Sequence, residues 1–93
     1  MNRIKLTEMK VAEVVNNAAA MNFPDFLKSL RKAHAVGRRV VNHDIGFSEM
    51  RLFWLEGGYF KNDIPNSDLS LLAEYYGVPM TLLLAKYQVF KAL

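Results

Sequence analysis

The sequence predicts an all-α fold, a compact bundle of five or six short helices. Apolar residues recur at spacings of three and four through most of the chain, and no stretch keeps the period-two alternation of a half-buried strand. Breakers at Asn22-Phe23-Pro24, Gly37, Gly46, Gly57-Gly58 and Gly77 cut the chain into pieces of helix length. The composition, 52% hydrophobic and 23% charged in 93 residues, is that of one globular domain rather than a disordered chain.

The elements follow in order. A first segment from Thr7, as N-cap, to Ala20 carries Val11, Val14, Val15 and Ala18 on one face. A second begins at Pro24, a residue suited to a first helical turn, and buries Phe26, Leu27, Leu30 and Ala33 while Lys28, Arg31 and Lys32 point away; Gly37 stops it. A third spans Arg38 to Ile45 and stops at Gly46. Ser48 caps a fourth, Glu49 to Glu56, with Glu49 complementing the helix dipole and Leu52 and Leu55 facing inward. After a loop from Tyr59 to Asn66, Ser67 to Tyr76 repeats Leu69, Leu72, Ala73 and Tyr76 at helical spacing. A last helix runs from Pro79 towards Leu93. Residues 1–22 read as an N-terminal helix or arm, and residues 23–93 as the domain proper.

Composition narrows the function. With no cysteine, disulfides and thiolate metal sites are excluded. Thr7, Glu8, Lys10 and Glu13 interrupt the amino end, so it lacks the apolar run of a signal peptide. No apolar run approaches the roughly 20 residues that span a bilayer. A soluble, cytoplasmic protein is expected. His34 and His43 are isolated, with no metal-ligand spacing, and no Ser/His/Asp set, Cys/His pair or glycine-rich phosphate loop occurs. No enzyme, no metal and no cofactor are therefore expected.

The net charge is +3 and unevenly spread. Between Phe26 and His43 lie Lys28, Arg31, Lys32, Arg38 and Arg39 without an acid; from Asp44 to Tyr76 acids predominate. A basic patch attracts phosphate, although a solvated helix face gives the same pattern.

Two short helices joined at Gly46 have the layout of a helix-turn-helix. A glycine suits the tight turn, Phe47 can plug the gap between the helices, and Ser48 caps the second. The run from Gly46 to Gly58 (GFSEMRLFWLEGG) resembles the recognition segment of the Cro and lambda-repressor, or XRE-type, helix-turn-helix family. Phe26 to Arg31 is similar to that family's first helix. Ile64-Pro65, Leu69, Leu72-Ala73, Gly77-Val78 and Leu83-Leu84 are similar to its closing helices. The resemblance covers roughly Phe26 to Leu84. Asn42 stands where the family has a small alanine, and a buried Asn needs partners for its amide. Arg38 replaces a polar phosphate-touching residue, and Gly57 an asparagine.

The resemblance implies a sequence-specific DNA-binding transcriptional regulator, a repressor in its commoner form, acting on double-stranded DNA as a homodimer. Its base-facing residues would be Glu49, Met50 and Trp54, behind Ser48 at the helix amino end. Arg38, Arg39, Arg51 and Lys61 would hold phosphates. Glu49 can accept from cytosine N4 and Met50 can touch a thymine methyl, but the bidentate Arg, Lys, Asn or Gln usual in base reading is missing. Glu56 would be structural. Phe53 and Trp54 admit three readings: core, protein interface or DNA contact. A protein-interaction module on the same scaffold, such as an antirepressor, an antitoxin or a host-factor-binding protein, is therefore the rival expectation. Two faces compete as dimer surface: Leu82, Val89 and Leu93 on the last helix, and Val11, Val14, Val15 and Ala18 on the first.

Overall fold

The computed structural model describes residues 3–59 and 64–93; Lys61 lies outside the described residues. Among those residues the chain is all-α, with no strand. The helices are α1 (Arg3–Asn16), α2 (Phe23–Ala33), α3 (Arg38–Ile45), α4 (Arg51–Glu56), α5 (Asn66–Tyr76) and α6 (Met80–Ala92), and a 3-10 turn at Ala18–Ala20 joins α1 to α2.

Helix α2 is central, packing on α1, α4 and α6. Its Phe23, Phe26, Leu27 and Leu30 are fully buried, as are Val41, Leu52, Leu69, Leu72, Tyr76 and Leu83 from the helices around it. Burying each such side chain favours the fold by about 1.5–3 kcal/mol. Asn22 starts α2, its side-chain oxygen accepting from the Asp25 amide at 3.0 Å, so one orphan donor of the first turn is satisfied. α3 and α5 both end on left-handed glycines, Gly46 at φ 77° and Gly77 at φ 72°.

Several local expectations are corrected. Thr7 does not cap α1, which is already helical from Arg3. Gly37 does not stop α2. The left-handed residue after that helix is Ala35 at φ 55°, and Gly37 instead precedes α3 with an extended backbone. Ser48 does not cap α4, and Glu49 is not in its first turn. Met50 occupies the cap position without a side-chain bond, and Ser48 contributes only its carbonyl, which accepts from the Arg51 amide at 3.1 Å. Ser48, Glu49 and Met50 therefore form the connection between α3 and α4.

The valine face of α1 is turned towards the domain and only partly exposed. Val11, Val14 and Val15 pack against the core and Ala18 is buried in it. On α6, Leu83 and Tyr87 are buried, while Val89 and Leu93 stay exposed beside half-buried Leu82.

Candidate nucleic-acid interface

The α3–α4 unit is fixed from beneath by polar contacts that are buried or partly buried. Asn42, nearly fully buried on α3, serves both sides of the turn. Its side-chain nitrogen donates to the Glu49 carbonyl at 2.8 Å, and its side-chain oxygen accepts from the Leu52 amide at 3.2 Å. Its main-chain carbonyl accepts from Phe47 at 2.8 Å and from Gly46. The amide thus replaces the side-chain cap that Ser48 does not supply, and it meets the partner requirement of a buried asparagine.

The end of α4 is tied by charge. Arg31 does not point away from the domain: it is buried, donating from Nε to Glu56 Oε2 at 2.8 Å and from Nη2 to Oε1 at 3.0 Å. A third bond runs from Nη1 to the Val36 carbonyl at 3.1 Å. The bond to Glu56 raises the Arg31 pKa against the opposing effect of burial. Arg38, at the start of α3, reaches the same carboxylate at 3.1 Å. One carboxylate between two guanidinium groups leaves the trio with a net positive charge, and the Arg38 side chain is partly exposed. Glu56 is thus structural, joining α2, α3 and α4.

The remaining sequence-predicted residues fall into three positions. Arg39 is 89% exposed and lies 3.8 Å from exposed Glu49, so the acid of the connection has a cation beside it. Arg51 is directed to α5, with Nη2 2.9 Å from Asp68 Oδ2 and both side chains largely covered. Met50, Phe53 and Trp54 face outward, with Phe53 45% and Trp54 41% exposed, which removes core packing from the readings of those two aromatics. The structure therefore brings Arg38, Arg39, Glu49, Met50, Phe53 and Trp54 onto the α3–α4 unit and directs Arg51 to Asp68.

Sequence reasoning missed Tyr59. It is 71% exposed at the end of α4, and its amide donates to the Trp54 carbonyl at 3.1 Å. A Cβ at Gly57 would fall 2.6 Å from Tyr59 Cε2 and 3.3 Å from the Phe53 carbonyl oxygen. The glycine at that position gives the tyrosine ring its seat against the helix. Its signal in the sequence was the departure from the family's asparagine.

Among the described residues no group of His, Asp and Glu is placed to hold a metal ion, and no helix is long and apolar enough to cross a membrane. No family model, curated protein or solved structure matches the chain.

Proposed function

We propose that this protein is a non-enzymatic, cytoplasmic DNA-binding regulator of the repressor helix-turn-helix type. The observation that carries the reading is the α3–α4 unit itself. Two short helices, the first ended by the left-handed Gly46 and the second entered through Ser48 to Met50, are locked by Asn42 and by the Arg31–Glu56–Arg38 cluster, and keep one side of α4 and the amino end of α3 in solvent. Rigid presentation of a short helix beside cations is what docking into a major groove requires. Arg39 and the outer part of Arg38 are the phosphate-holding groups, while Met50, Trp54 and Glu49 meet the bases. The regulator represses by occupying an operator. It works as a homodimer through the outer stripe of α6, where Val89 and Leu93 are exposed; two copies would place their α4 helices about one DNA turn, ~34 Å, apart.

Selection from a pool of random duplexes tests this reading. A recovered palindromic motif with half-sites one helical turn apart supports it. Recovery of no preferred sequence at low salt counts against it.

A second reading, a protein-docking module, is favoured by one observation. Arg51 is engaged by Asp68, whereas Phe53 and Trp54 are exposed. Aromatics, Met and Arg are the residues enriched at protein interfaces. Capture of a defined partner that Trp54→Ala abolishes, with no duplex binding, would favour this reading.

A further inference from the structure

The outer face of α4 is poor in the groups that read a closed base pair and rich in the groups that grip an open base. Phe53, Trp54 and Tyr59 are all exposed, with Met50 at the start of the same face. Met50 and Trp54 are one helical turn apart, as are Phe53 and Gly57. Because the Tyr59 ring is seated over Gly57, it continues the Phe53 row beyond the end of the helix. Three aromatic side chains thus share one short stretch of surface.

Charge completes the arrangement. The Arg38 guanidinium carbon lies 5.5 Å from the Phe53 ring centroid, and the Glu56 carboxylate fixes it there. Arg39 stands exposed beside Glu49. Among the described residues, Glu49 on the connection and Glu56 at the end of α4 each have an arginine against them. A surface of exposed rings edged by guanidinium groups, its acids compensated, suits a ligand that alternates flat aromatic groups with negative charges. A single-stranded nucleic acid is that ligand. Bases stack on the rings, each stack contributing about 1–3 kcal/mol, and arginines track the phosphates.

We propose that the α4 face binds unpaired bases by stacking on Trp54, Phe53 and Tyr59, with Arg38 and Arg39 at the backbone. This goes beyond duplex binding and does not depend on it. Gly57 is the positioning residue: any larger side chain there pushes the Tyr59 ring off its seat, while the fold keeps its core.

The chain holds a single tryptophan, so Trp54 reports its own stacking. The experiment is a fluorescence titration of the 93-residue chain with three probes: a short oligothymidylate, an abasic strand of equal length, and a duplex containing the same oligothymidylate. The expected result is saturable quenching of Trp54 by the oligothymidylate, with affinity at least about tenfold above the abasic strand, the factor equivalent to one stacked base. Anisotropy of labelled oligothymidylate should show a similar loss for Trp54→Ala and a smaller one for Gly57→Ala, both with wild-type circular dichroism and melting. Equal affinity for oligothymidylate and abasic strand, without quenching, overturns the proposal. So does base-dependent binding that neither variant weakens. A bound duplex with an ignored single strand overturns it and leaves the regulator reading standing. A bound single strand with an ignored duplex supports it and counts against the regulator reading.

Discussion

Arg31 and Glu56, 25 positions apart in sequence, form a two-point ion pair between the last turn of α2 and the end of α4, at 2.8 and 3.0 Å. The pair is buried, so its geometry holds without competition from water. Removing one partner leaves the other charge in the interior, a loss of about 3–5 kcal/mol when nothing replaces it. Arg38 still reaches Glu56, so Arg31→Met should fall at the lower end of that range in chemical denaturation. Arg31→Met combined with Glu56→Leu should cost less than the sum of the two single variants, because the second change removes the stranded charge.

Asn42 should matter more than its place in a helix suggests. Asn42→Ala installs the small residue of the resembling family, but it leaves the Leu52 amide and the Glu49 carbonyl without their side-chain partner. The Leu52 amide is buried, and a buried polar group left unpaired costs about 1–3 kcal/mol; the partly buried Glu49 carbonyl adds less. A loss of about 2–3 kcal/mol is expected by urea titration, with amide exchange accelerating first from Phe47 to Leu52.

Two backbone substitutions should act in opposite directions. Gly46 sits at φ 77° with no atom within 4 Å of where a Cβ would lie, so Gly46→Ala costs only backbone strain, about 1–2 kcal/mol. Ala35 already bears such strain at φ 55°, and Ala35→Gly should recover up to about 1 kcal/mol. Thermal unfolding of the two variants checks both signs.

Tyr76 is fully buried, and its hydroxyl has no hydrogen-bond partner among the described residues. Burial raises its pKa, and the nearby Glu56 charge raises it further, against a smaller lowering by Arg31. The unfolded chain loses this proton near pH 10, the ordinary value, while the native state keeps it. Above that pH the unfolded state binds fewer protons, so stability is complete below about pH 10 and falls as pH rises beyond it, by at most about 1.4 kcal/mol per unit for one proton. Tyr75 acts in the same direction, through partial burial and its bond to Asp44 at 2.8 Å. Tyr76→Phe should hold or raise stability at neutral pH, since an unpaired hydroxyl leaves the core, and should flatten the alkaline decline. Denaturation midpoints across the alkaline range test this.

Much of this fold was legible because its signals are local. The third helix, its stop at Gly46, and the buried stripes Leu69-Leu72-Ala73-Tyr76 and Leu52-Leu55 follow from spacing and breakers alone. What escaped the sequence depends on distant partners. Arg31 reads as a solvent-facing cation until α4 brings Glu56 against it, although its position one turn after Leu27 puts it on the edge of the apolar stripe. Ser48 reads as a cap because its residue type favours one, but Asn42 reaches the same backbone from the other helix and takes over the task. Arg51 reads as a phosphate contact from its place in the motif, and nothing local to it announces the Asp68 that the packing of α5 sets against it. The exposed pair Phe53 and Trp54 could be placed only once Leu52 and Leu55 had claimed the inward side.

Docking of the α3–α4 unit on duplex DNA, as proposed, is tested best at Arg39, because its side chain is exposed and outside the Arg31–Glu56 cluster. The measurement is affinity for a duplex from the gene's own upstream region, against scrambled duplex, across a salt series for wild type and Arg39→Ala. Upstream-selective binding that weakens steeply with salt is expected, with a variant whose log–log salt slope is smaller by about 0.9, one phosphate contact. Equal, weak binding to both duplexes, with the same slope for wild type and variant, would contradict it.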